Sequence, residues 1–121
     1  MGYDFHITRA PDWSESEDCP ITAEEWLWFV EGDPESTIDP LNNGPCFALW
    51  SGHPSYPPPD EPWLDWDQGR VFTKAPDRIF FAKMLEIASR FGAKVQGDEG
   101  EDYFSLSDYD RIYRGIRDPS P

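Results

Sequence analysis

Tyr3-Asp4-Phe5-His6-Ile7-Thr8 is the stretch on which the fold turns. Tyr3, Phe5 and Ile7 alternate with Asp4, His6 and Thr8, the two-residue period of a strand with one apolar face. The rest of the chain has to cover Phe5 and Ile7, so the elements that follow are read for apolar faces able to do it.

The first comes after a loop from Pro11 to Pro20 that carries four acids, two Pro and two Ser. Thr22 and Glu25 form a capping box, in which each side chain satisfies an amide that the helix start leaves without a partner. Ile21 and Trp26 stand at the staple positions, Trp26, Leu27, Phe29 and Val30 supply an apolar face, and Gly32 with Pro34 ends the helix. Trp26 and Trp28 are two apart and cannot both face the core, so one of them lies at an edge or in solvent.

Cys46-Phe47-Ala48-Leu49-Trp50 follows Asn42-Asn43-Gly44-Pro45 and reads as a short buried strand. Five Pro between Ser51 and Pro62, including Pro57-Pro58-Pro59, predict a stiff extended loop. Trp63-Leu64-Asp65-Trp66 and Arg70-Val71-Phe72-Thr73-Lys74 flank Asp67-Gln68-Gly69 as a hairpin, with Gly69 supplying a positive φ. A second helix opens at Pro76, with Asp77 in its first turn. Phe80, Phe81, Met84, Leu85, Ala88 and Phe91 recur at the helical period, Lys83, Glu86 and Arg90 fall off the stripe, and Gly92 ends it. Ala93-Lys94-Val95 returns as a short strand, and a last helix runs from Ser107, its cap, to Ile116.

The order of these elements predicts an α+β domain spanning residues 1–121. It has a small, mostly antiparallel sheet of four or five strands and two main helices on one face. Residues 103–121 are expected to form a C-terminal extension with a short helix.

Charge narrows the function. The 121 residues hold 24 acids and 10 bases, a formal net of −14. Residues 1–69 contain 15 acids and one base, Arg9, whereas residues 70–121 contain nine of each, so the whole excess belongs to the first part. Nucleic acid and anionic membranes are excluded as partners, since both are bound through Lys and Arg. Aromatic residues make up 16% of the chain, far from the composition of a disordered acidic segment. The first ten residues lack a basic start and an apolar run, and His6 stands where a myristoylation motif needs Ser or Thr. Cys19 and Cys46 have no zinc or redox spacing. A cytoplasmic protein with reduced thiols is the expectation.

Candidate chemistry is sparse. Asp4 and His6 share a strand face and resemble a base with its orienting carboxylate, and His53 adds a second imidazole for a metal. A structural pair is the simpler explanation, because residues two apart are neighbours on every strand. Gly97-Asp98-Glu99-Gly100-Glu101-Asp102 crowds carboxylates around two Gly but lacks the ligand spacing of a calcium loop. No nucleophile elbow, phosphate loop or dinucleotide fingerprint occurs. No catalytic residue, metal ligand or cofactor is therefore assigned.

Four stretches carry a resemblance: Tyr3-Asp4-Phe5-His6-Ile7-Thr8-Arg9, Ile21-Thr22-Ala23-Glu24-Glu25-Trp26, Trp50-Ser51-Gly52-His53, and Arg90-Phe91-Gly92-Ala93-Lys94-Val95-Gln96-Gly97-Asp98-Glu99-Gly100-Glu101. With them the chain resembles a group of small acidic bacterial proteins over most of residues 3–102. The resemblance implies a bacterial origin and an α+β fold and supplies no activity. Small acidic proteins of this kind look like immunity proteins paired with secreted toxins.

The expected function is therefore binding: an acidic, aromatic-studded surface occludes the active cleft of a basic protein, a toxin domain. The expected contact residues are Asp65, Trp66 and Asp67 in the hairpin, and Asp98, Glu99, Glu101 and Tyr103 around the acidic turn. A small metal-dependent hydrolase or transferase using Asp4, His6 and His53 is the alternative, and a regulatory adaptor a third.

Overall fold

The computed structural model describes residues 3–39, 44–54 and 62–113. The loop through Pro57-Pro58-Pro59, Asn42-Asn43, and the end of the last expected helix at Ile116 lie outside them. Seven strands form one sheet in the order β2-β3-β4-β5-β1-β6-β7. They are β1 (Asp4–Thr8), β2 (Ser36–Ile38), β3 (Ala48–Trp50), β4 (Trp63–Asp67), β5 (Arg70–Lys74), β6 (Lys94–Gly97) and β7 (Asp102–Tyr103). Every neighbouring pair is antiparallel. The sheet is thus α+β as expected but larger than four or five strands. β2 and β7 have only three and two residues and too little alternation to announce themselves. Each exists because an edge beside it, β3 or β6, offers backbone partners.

The opening strand lies in the interior of the sheet. β1 pairs with β5 through Phe5 opposite Thr73 and Ile7 opposite Val71, and with β6 through Phe5 opposite Gly97 and Ile7 opposite Val95. Residues directly opposite share a face, so Ile7, Val71 and Val95 make one apolar row, all of them fully buried.

Helices α1 (Ala23–Gly32) and α2 (Arg78–Arg90) cover that face. The capping box of Thr22 and Glu25 starts α1 as read from the sequence. Its core face is Trp26, Phe29 and Val30. Trp26 is fully buried while Trp28 is 80% exposed, which resolves the choice that their spacing posed. For α2 the start moves two residues: Asp77 is the N-cap, its carboxylate accepting the Phe80 amide at 2.8 Å, and Pro76 precedes the helix. Phe81, in the first turn of α2, makes edge contacts with Phe5 and Tyr103 at 5.5 and 5.4 Å between ring centres.

Lys83, off the apolar stripe in the sequence, is nonetheless buried. Its Nζ lies 3.0 Å from Asp33, 3.3 Å from Glu35 and 3.5 Å from Glu86. Burial alone would lower its pKa, but the bond to Asp33 and the surrounding carboxylates hold it above the ordinary value. The ammonium thereby ties α2 to the end of α1. Arg9 works similarly at the other end of the sheet. It grips the Glu25 carboxylate through both terminal nitrogens at 2.9 and 2.7 Å and donates from Nε to the Phe91 carbonyl. Glu25, held by Arg9 and the Thr22 amide, has its pKa drawn down to about 2.

The last helical segment begins at Leu106 with Ser105 as its cap, two residues before the expected one, and continues through a wide turn at Tyr109–Tyr113. Tyr103, Tyr109 and Tyr113 are 1%, 4% and 4% exposed. The segment expected as an extension therefore contributes to the core as far as Tyr113. Cys19 and Cys46 are both free thiols.

The β4–β5 turn is the mirror-image type that a tight hairpin favours, with Gln68 and Gly69 at φ 52° and 87°. Gly69 has a second constraint. A Cβ there would lie 2.6 Å from the Ser16 carbonyl oxygen, and its own carbonyl accepts the Ile21 amide at 2.9 Å. Gly69→Ala is expected to cost about 1–3 kcal/mol in urea denaturation through strain and displacement of the loop above it. A change below about 0.5 kcal/mol would contradict this account.

Candidate functional site

The second face of β1 carries His6 and Thr8, and it too is buried, at 1% and 0% exposure. The cover is a single 3-10 turn, Trp13–Asp18, formed from the stretch that the sequence presents only as an acidic loop. Trp13 stacks on the His6 ring with centres 4.1 Å apart and planes 3° from parallel. The Trp13 amide donates to Gln96 Oε1 at 2.6 Å, and its indole donates to the Asp98 carbonyl at 3.2 Å. Thr8 and Ser16 share a hydrogen bond of 2.7 Å between hydroxyls. Gln96, opposite His6 in the register, donates to the Pro11 and Gly100 carbonyls and to Asp102. Buried polar groups are tolerable here because each of these has a partner.

His6 is the hub of this layer. Arg70 Nε lies 3.0 Å from His6 Nδ1, and a guanidinium only donates, so Nδ1 is the acceptor. The proton therefore sits on Nε2, which donates to Asp98 Oδ1 at 2.8 Å. Burial lowers the imidazole pKa, and the nearby Arg70 charge adds to this against the opposing effect of the hydrogen bond to Asp98. His6 is thus neutral, covered by an indole and occupied at both nitrogens. Its orienting carboxylate is Asp98, not Asp4, which instead holds Lys74 at 3.2 Å.

His53 belongs to a different cluster, with Nε2 2.7 Å from the Asp77 carboxylate and its ring edge-on to Trp50. The structure does not assemble Asp4, His6 and His53. Among the described residues there is no group of three or more His, Cys, Asp or Glu placed to hold a metal ion.

The expected contact residues divide between two ends of the sheet. The turn after β6 continues from Gly97, opposite Phe5 near the start of β1, whereas the β4–β5 turn lies toward Thr8 at its other end. Around the first, Asp98 accepts from His6 and from the Asp4 amide at 2.9 Å. Glu101 receives the hydroxyls of Tyr3 and Tyr103, and burial with this carboxylate raises both phenol pKa values. Tyr103 is core, and Glu99 is the exposed member of the group. Three of these four side chains serve the fold directly.

At the other end Asp67 is exposed and Asp65 half-buried, with its pKa raised by burial and by the Asp67 charge. Trp66 donates its indole N–H to the Ile21 carbonyl at 2.7 Å. A groove of about 340 Å³ separates the Trp66–Gly69 turn from Glu17, Pro20 and the start of α1. Glu15, Glu17 and Asp18 project from the 3-10 turn beside it, and Glu24 stands in the first turn of α1. Glu15, Glu17, Asp18, Glu24 and Asp67 are exposed, and among the described residues none has an ion-pair partner. Arg9, the one base of residues 1–69, is taken by Glu25. Here the structure joins the hairpin to acids that sequence reading left in an unassigned loop. The signal available was Trp13, a large aromatic in an acidic stretch, which needs burial and so anchors the stretch that bears it.

No family model, curated protein or solved structure matches this chain. No helix among the described residues is long and apolar enough to cross a membrane.

Because the folded-state imidazole of His6 titrates below its ordinary 6.5, its contribution to stability is complete above that pH. The contribution is lost as pH falls through the lower folded-state value. Urea denaturation from pH 8 to 4.5 should show His6→Asn less stable at pH 7 and with a shallower fall below 6.5 than the parent. Parallel profiles would contradict the assignment of a neutral buried imidazole.

Proposed function

We propose that this chain is a non-catalytic binding protein for a basic protein, and that the partner is a toxin domain whose active cleft it occludes. One observation carries the reading. The uncompensated Glu17, on a loop clamped to the central strand, lines a groove with Trp66, and the uncompensated Asp18 and Asp67 adjoin its lining residues. An aromatic among fixed carboxylates suits a partner rich in Arg, since it joins apolar area to opposite charge. Clamping the loop reduces the ordering that binding requires. The neutral, fully engaged His6 supports a structural use of the imidazole over the alternative of acid–base chemistry.

The test is capture from the native host with the wild-type chain and with a Glu17→Gln/Asp18→Asn/Asp67→Asn variant as baits. A single basic protein retained by the first and weakened on the second is expected, with toxicity when expressed alone and relief on co-expression. With that pair in hand, the association rate should fall at least about tenfold between 20 and 150 mM NaCl while dissociation changes little. A partner without basic character, or an association rate indifferent to salt, would overturn the reading.

A further inference from the structure

Glu24, Trp28 and Glu31 occupy positions i, i+4 and i+7 of α1 and so lie along one stripe of its outer face, with Leu27 beside them. Trp28 is 80% exposed and Leu27 36%. A groove runs along each side of Trp28. One, of about 400 Å³, lies between it and Phe91, with Glu24 on its rim. The other, of about 320 Å³, has Phe29 and Pro34 in its wall and Glu31 on its rim. Arg90 borders both grooves, its guanidinium 6.0 Å from the centre of the Phe29 ring. The patch is therefore an apolar ridge with a groove on either side and a carboxylate at each end, roughly 10 Å apart along the helix axis.

From this geometry we infer that the outer face of α1 is the anchor of the complex and receives a basic amphipathic helix of the partner protein, with Trp28 as the central contact. Apolar side chains one turn apart on such a helix straddle Trp28 and enter the two grooves. Lys or Arg two turns apart reach Glu24 and Glu31, neither of which has an ion-pair partner among the described residues. A second copy of this chain, which would bring Arg90 as well as Glu24 and Glu31 to this face, is the competing occupant that sedimentation tests. The inference rests on the reading of the chain as a binder of basic proteins and adds the place and form of the contact.

The probe is a peptide of about 18 residues, long enough for a stable bound helix, with Leu at helical spacing and Lys and Arg elsewhere. Two controls replace the Leu by Ser, or the Lys and Arg by Glu. Calorimetry and amide and indole NMR shifts at 100 mM NaCl are expected to show binding of the first peptide, with shifts centred on Leu27, Trp28 and Gly32. Trp28→Ala should weaken it at least about tenfold without changing the melting temperature, and Asp67→Asn less than about twofold. Binding unaffected by Trp28→Ala, with shifts around Glu17 and Asp67, would overturn the anchor and leave the basic-partner reading standing. Equal binding of the Glu peptide, or no binding of either basic peptide, would overturn both. A dimer in sedimentation that Trp28→Ala abolishes would assign the face to self-association instead.

Discussion

A central strand covered on both faces is the constraint from which the rest follows. Phe5 and Ile7 face the helices, while His6 and Thr8 face the Trp13–Asp18 turn, and all four are buried. The two covers obey different physics. Over Phe5 the aromatic cluster of Phe81, Tyr103 and Tyr113 excludes water and needs no direction. Over His6 the cover is polar, and an unsatisfied group there would cost about 1–3 kcal/mol. Each donor and acceptor must therefore be placed, which fixes Trp13 against His6, Gln96 and Asp98.

That placement links the fold to the proposed binding surface. A turn bearing three exposed carboxylates would be a mobile appendage if its aromatic residue were free. Stacked on His6 and bonded to two side-chain or backbone acceptors, it holds Glu15, Glu17 and Asp18 beside the hairpin. Gly69 and Ile21 complete the clamp. The acidic surface is in this way held in place by a histidine engaged at both ring nitrogens.

Much of the frame was legible in the sequence. The alternation of Tyr3 to Thr8, the Thr22–Glu25 box and the Gly69 turn each rest on local physics, and each is where it was read. The misses have two causes. β2 and β7 are too short to show a period, and the bonds that hold Trp13 to Gln96 and Asp98, like the burial of Lys83, are made by residues distant in sequence. The candidate site was half legible for the second of these reasons. Asp67 and Trp66 are where a hairpin must put them, but the second acidic group separates from them because the β6–β7 turn emerges at the opposite end of β1. Asp98 and Glu101, chosen for their charge, are consumed by His6 and by two tyrosines.

On the proposed reading the acidic end is kept for recognition at a cost to the free protein, since crowded like charges oppose the fold that bears them. The direct measurement is the stability of the free chain when those charges are removed. Glu17→Gln/Asp18→Asn/Asp67→Asn should unfold at a higher urea concentration than the parent at low ionic strength, with the difference shrinking as salt screens the repulsion. A variant equal to or less stable than the parent in low salt would mean that these carboxylates serve the fold itself, and would contradict the account.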